Sequence, residues 1–198
     1  MPTIGITGGI STGKTSFCDC LREILPDAKF FNADKAARDL VDLDEEVKQE
    51  LLRAFGSGVF SGESLNRAAL RAIVFKSPAK KQALEQILHP RIRRQWSAEA
   101  QTYRNSSDFF FADIPLLYET GGETLCDRVV VVACTPDVQL SRLLERGTLE
   151  RDVAQKIINS QMPLTEKIAR ADHVVWNDGE RSVLKEQAKL LVDLWRSK

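Results

Sequence analysis

The sequence predicts an α/β chain built on a parallel sheet with helices on both faces. Three observations carry that expectation. Residues 108–113 (DFFFAD) and 128–133 (RVVVVA) are apolar through their interiors, as strands are when helices cover both sides. Segments of helical periodicity alternate with such runs, which implies parallel crossovers rather than hairpins. A first apolar run, residues 3–7, ends in a glycine-rich turn that leads into a helix.

Taken in order, residues 14–25 follow helical spacing through Phe17, Leu21 and Leu25 until Pro26-Asp27 breaks it. Residues 28–31 form a second strand, ended by Asn32-Ala33-Asp34, and a helix starts near Asp34. Residues 44–55 are helical and stop at Gly56-Ser57-Gly58. Residues 64–76 read as helical. Ser77-Pro78 then provides a cap and a proline at the first helical position of a stripe running to about Tyr103. Residues 45–105 therefore make a helical insertion rich in Arg, Lys and Gln. Thr135-Pro136-Asp137 starts another helix, with two helices at 138–146 and 150–162 meeting around Gly147. Residues 173–176 are a last strand, and 181–195 a closing amphipathic helix.

The 198 residues carry 28 basic and 28 acidic side chains, so no global field favours nucleic acid or an anionic membrane. No apolar run approaches the roughly 20 residues that span a bilayer, and the opening residues do not make a signal peptide. Cys18, Cys20, Cys126 and Cys134 form no CxxC pair and have no histidine at ligand spacing. They read as reduced packing residues of a cytoplasmic protein, not as a metal site.

Chemistry concentrates in residues 8–15, GGISTGKT, which fit G-x-x-x-x-G-K-[ST] at every fixed position. Phosphate oxygens need several backbone N–H groups converging on one point. A loop wrapping into a helix N-terminus supplies them, and the helix dipole favours the negative charge. The expected nucleotide-binding set is Gly9, Ile10, Ser11, Thr12, Gly13, Lys14, Thr15 and Ser16. Lys14 is expected to reach the β- and γ-phosphates of ATP, and the Thr15 hydroxyl to ligate Mg²⁺.

Three further features point to phosphoryl transfer. Asp34, after the second strand, is placed to accept a proton from an attacking hydroxyl and to help hold Mg²⁺; the plainer alternative is a helix cap. Asp113 ends an apolar run as a metal-holding carboxylate does, or else makes a strand-terminal turn. Arg142, Arg146 and Arg151 flank Gly147, where arginines can close over a triphosphate, although helices also carry arginines for solubility.

These stretches resemble the dephospho-CoA kinase family. The resemblance rests on TGGISTGKT (7–15), NADKAAR (32–38), LHPRI (88–92), DIPLLYE (113–119), the strand at 127–133, QLSRLLER (139–146), SQM (160–162) and KIARADHVVWNDG (167–179). It implies a three-layer P-loop kinase with a five-stranded parallel sheet. Residues 1–44, 106–138 and 164–198 would form the core, 45–105 a helical CoA-substrate domain and 139–163 a small lid. It further implies that Asp34 is the base on the ribose 3′-hydroxyl of dephospho-CoA, with Arg38 and His89 lining the acceptor site. Arg142 and Arg146 match lid-side arginines near the ATP phosphates, with Arg142 and Lys14 beside Asp34 in the catalytic set. Asn177 matches the loop at the adenine end. Pro115 suggests a fixed turn carrying Leu116, Leu117 and Glu119 towards substrate, although core packing explains the leucines equally well. His89 before Pro90 also fits a purely structural helix bend.

Two positions depart from the family pattern. Ser11 stands where glycine is usual, so the loop must hold a side chain there. Asn32 stands where aspartate is common, keeping a hydrogen-bond acceptor while dropping a charge. The competing readings are a shikimate-type or nucleoside monophosphate kinase, or a non-catalytic nucleotide-binding switch. No zinc-type cysteine cluster or long lid insertion supports an adenylate-kinase-like reading, and the presence of Asp34 weighs against the switch.

Overall fold

The structure, a computed structural model, describes residues 2–62, 64–104, 108–147 and 149–197. The chain divides into two compact units, Met1–Phe31 with Ala100–Lys198, and Asn32–Glu99. The domain boundary expected at residues 105/106 lies outside the described residues.

The larger unit is organised by a five-stranded sheet in the order β2-β5-β1-β6-β7. These strands are β1 (Thr3–Gly8), β2 (Lys29–Asn32), β5 (Phe110–Asp113), β6 (Arg128–Ala133) and β7 (His173–Trp176). β1 pairs in parallel with β5 and β6, and β6 with β7. Every residue of β1 and β5 is buried, which explains their lack of polar alternation. Against the sheet lie α1 (Lys14–Ile24) and the closing helix α9 (Arg181–Arg196), which also pack on each other. Phe17, Leu21, Leu184, Ala188 and Val192 meet Ile4, Ile6, Val130 and Val132 in one core. Phe111 sits between Phe30 and Phe109, with ring centroids 4.8 and 5.9 Å away.

β1 and β5 place Ile6 opposite Asp113, and the Ile114 N–H still reaches the Ile6 carbonyl at 3.0 Å. The carboxyl end of β1 thus delivers the glycine-rich loop, and that of β5 delivers Asp113. Ligands in open α/β sheets gather at such carboxyl ends.

α6 (Pro136–Glu145) and α7 (Arg151–Asn159) form an arm with its own small core of Leu140, Leu143 and Ala154. α6 starts at Pro136 as expected. Thr135, however, does not cap it with its side chain; the Thr135 N–H and hydroxyl both donate to Asp178. α7 ends at Asn159 rather than 162. A helix not anticipated from the sequence, α8 (Leu164–Arg170), leads into β7.

The smaller unit begins with α2 (Ala33–Leu43) and α3 (Glu45–Phe55). A short 3₁₀ turn (Ser57–Val59) follows, then β3 (Phe60–Ser61), β4 (Ser64–Leu65), α4 (Arg67–Lys76) and α5 (Pro78–Tyr103). α5 runs on past the end of this unit. Val41, Val47, Leu51 and Ile87 form the unit's core. Residues 64–65 were expected to be helical; instead they pair antiparallel with 60–61, and the helix starts at Arg67 behind an Asn66 cap. Two-residue strands leave no period to read, so the helical pattern behind them was extended too far forward. α5 continues through Pro90, as the 78–103 stripe predicts.

Candidate active site

Between β1 and α1 the backbone takes the shape that glycine allows. Gly13 has φ +90°, and a Cβ there would collide with the Asn177 amide nitrogen. A Cβ on Gly8 would lie 2.5 Å from the Val132 carbonyl oxygen. Backbone must pass here with no side chain, as a loop wrapping an anion requires. No side chain caps α1 and no acid occupies its first turn, so the amides at that end are left for a negative ligand.

Three side chains outside the loop hold it. Asn177, just past β7, donates its amide to the Thr12 carbonyl at 2.9 Å. Gln139 on α6 donates to the Ile10 carbonyl at 2.8 Å. Gln161 accepts from the Ile10 N–H at 3.0 Å. The structure thus places Asn177 against the loop itself, where sequence resemblance had suggested only the adenine end. Ser11 has φ 60°, the one positive φ outside glycine among the described residues. That conformation explains why glycine is favoured at this position. The Ser11 hydroxyl is buried and meets no hydrogen-bond partner among the described residues.

Lys14 and Asp113 form an ion pair across the carboxyl ends of β1 and β5. Asp113 is 2 % exposed, so its carboxylate is held in the protein rather than in solvent. Thr15 stands exposed in the first turn of α1. A hydroxyl and a carboxylate at the same end are hard oxygen donors of the kind Mg²⁺ takes alongside phosphate oxygens. No group of three or more His, Cys, Asp or Glu suited to a metal occurs among the described residues. Thr15 and Asp113 are donors that fit an ion arriving with phosphate oxygens.

Arg142, on α6, lies on the Gly13 side of the loop: its Nη1 would be 3.8 Å from a Cβ on Gly13. That nitrogen is buried without a hydrogen-bond partner of its own among the described residues, while the guanidinium also lies beside the Cys134 thiol and opposes the rise that burial causes in its pKa; a phosphate oxygen would be a stronger acceptor than that sulfur. Arg146, at the end of α6, and Arg151 are exposed.

Behind Asp113, the Thr7 hydroxyl donates to the Pro115 carbonyl at 2.9 Å. Pro115 and Leu116 are half-buried. Leu117 is completely buried, filling the space beside Gly5 and Gly122. The Glu119 carboxylate accepts from the Met162 N–H at 3.0 Å and pairs with Lys167 at 2.9 Å. Lys167, Gln139 and Gln161 were not singled out from the sequence, although Lys167 opens the KIARAD stretch.

In the smaller unit, Asp34 and Arg38 lie one turn apart on α2, both exposed. Asn32 caps that helix, accepting from the Lys35 N–H at 2.7 Å. The capping role open to Asp34 thus belongs to Asn32. His89 is half-buried on α5, and burial holds its imidazole below the usual 6.5, with Glu85 opposing that shift and Lys81 adding to it. Burial also pushes the thiols of Cys18 and Cys126 up to about 12, so both stay protonated and unreactive.

Comparison with known proteins agrees with this geometry. A family model described as dephospho-CoA kinase matches residues 2–182. A dephospho-CoA kinase of Geobacillus kaustophilus is 38 % identical over 197 residues, covering 98 % of this chain and 96 % of its own. Among solved structures, TT1252 from Thermus thermophilus superposes with a TM-score of 0.79 at 32 % identity, covering 97 % of this chain and 96 % of that one. A dephospho-CoA kinase from Campylobacter jejuni gives 0.66 at 25 % identity with the same coverage. A match this long, reaching from the glycine-rich loop past Asn177, means that the chain belongs to the dephospho-CoA kinase family.

Proposed function

We propose that this chain, a kinase by family, moves the γ-phosphoryl group of ATP to the 3′-hydroxyl of dephospho-CoA with the residues described above. The backbone N–H groups of residues 9–16 take the donor's phosphates, and Lys14 leaves Asp113 to meet the β- and γ-oxygens. Thr15, Asp113 and Asp34 are the residues that would hold Mg²⁺. When bound, that ion supplies neutralisation of the charge that builds on the phosphates.

Asp34 accepts the proton as the 3′-oxygen bonds to the γ-phosphorus. The bond from that phosphorus to the β–γ bridging oxygen breaks, and ADP leaves. Arg142, with Arg146 farther out, spreads charge from the transferring group. Arg38, His89, Pro115 and Leu116 serve the acceptor side, with Leu117 packed in the core behind them and Glu119 supporting them through Lys167, and Asn177 serves the donor side. In this reading residues 45–105 form the acceptor domain and 139–163 the lid. Four free thiols support a reducing, cytoplasmic setting.

The observation that carries the activity is the family match, because residues 2–182 contain every position assigned a role. The purified protein is incubated with ATP and, in separate reactions, dephospho-CoA, AMP, CMP, shikimate or water alone. ADP release is expected with dephospho-CoA. Release only with one of the other acceptors, or equally with water, would sink the assignment.

A further inference from the structure

Lys167 on α8 is 0 % exposed, the only lysine or arginine among the described residues that is buried. An ammonium carries three protons and no acceptor. Here it donates to the Pro115 carbonyl at 2.9 Å, pairs with Glu119 at 2.9 Å, and makes a longer contact of 3.5 Å with the Gly8 carbonyl. Burying such a charge is costly even when paired, and an apolar pair of similar volume is often as stable or more so. Stability alone is therefore a poor reason for the ion pair to sit here.

Its acceptors suggest a better one. Gly8 is the first residue of the phosphate loop, and Pro115 follows Asp113 by two positions. The backbone pairing of β1 with β5 runs out at Ile6 and Ile114. Beyond that point, the two strand ends are joined by the Thr7 hydroxyl and by the Lys167 ammonium. Glu119 holds the ammonium and also takes the Met162 N–H, which ties in the segment after α7. Burial draws the ammonium's pKa below its ordinary 10.5, with Glu119 opposing and Lys14 adding to that shift.

We propose that Lys167 is a positioning residue for phosphoryl transfer: anchored by Glu119, it spans the Gly8 and Pro115 carbonyls and so sets the Asp113 carboxylate against the phosphate loop. The proposal rests on the reading that Asp113 works at the metal and phosphates. Lys167 itself touches neither substrate.

Lys167→Met, Glu119→Gln and the double variant separate this role from a merely structural one. Three quantities are read: the thermal midpoint, kcat with ATP and dephospho-CoA, and the Mg²⁺-dependent part of ATP affinity by calorimetry without acceptor. Lys167→Met is expected to lower the midpoint and to cut kcat about 100-fold, the scale of a misplacement near 1 Å. The double variant buries no unpaired charge. It regains the midpoint, but kcat stays low and the Mg²⁺-dependent gain in ATP affinity stays reduced. Glu119→Gln leaves the lysine an amide oxygen to donate to, so it folds and shows the same signature more weakly. Recovery of kcat together with the midpoint in the double variant would overturn the proposal, as would full kcat in both single variants. A wild-type chain inactive towards dephospho-CoA would instead count against the activity, leaving the Mg²⁺ calorimetry to judge Lys167.

Discussion

Lys14 and Asp113, expected to serve the phosphates and the metal respectively, neutralise each other across the ends of β1 and β5. The ammonium expected at the phosphates and the carboxylate expected at the metal are thus direct partners. Lys14→Ala removes the partner of a carboxylate that is almost wholly buried. It is expected to cost about 3 kcal/mol of stability as well as abolishing turnover. Adding Asp113→Asn should return much of that stability and none of the activity. Urea midpoints alongside ADP release with dephospho-CoA check both halves.

Asn32 caps α2, which leaves Asp34, the proposed base, with no part in the cap. Because Asn32 holds the cap, Asp34→Asn should leave the melting temperature unchanged. It should lower kcat by about 10²–10⁴-fold with ATP affinity retained. Asn32→Ala should do the reverse, costing about 1 kcal/mol and little turnover. Full turnover in Asp34→Asn would remove it as the base.

Gly13 faces Asn177 across a distance no Cβ can enter. Gly13→Ala should therefore abolish ATP binding, measured by calorimetry. Asn177→Gly in the same chain relieves the collision but neither the positive φ at residue 13 nor the lost bond to Thr12. Only a minor share of the affinity should come back.

Arg142 and Arg146 are four residues apart and look alike in sequence, yet Arg142 has a buried guanidinium nitrogen and Arg146 is exposed. Arg142→Ala is expected to reduce kcat about 100-fold or more, and Arg146→Ala less than about tenfold. Equal losses would place both arginines at the phosphates on the same footing.

The strands of the five-stranded sheet, the glycine-rich loop and the starts of α5 and α6 were legible because each leaves a local signature: uninterrupted apolar runs, a fixed spacing, a proline at the first helical position. Lys167 was not legible. A single lysine in LTEKIAR reads as solvent-facing, and nothing near it in the chain announces the Glu119 carboxylate that it meets. Gln139 and Gln161 escaped for the same reason, since their partner is the Ile10 backbone, more than a hundred residues away. The pairing of 60–61 with 64–65 was missed because two residues are too few to show alternation. Asn32 looked like a lost charge until its oxygen was seen to cap α2.

Ile10 is gripped at both polar ends of its main chain, its carbonyl by Gln139 and its N–H by Gln161, while its side chain packs into the core of the α6–α7 arm. Its neighbour Ser11 already occupies a conformation that the loop would not choose unaided. The curvature of the cradle is therefore imposed from outside, like a bow bent by its string. The arm cannot swing without slackening that string, and the loop cannot relax without letting go of the arm.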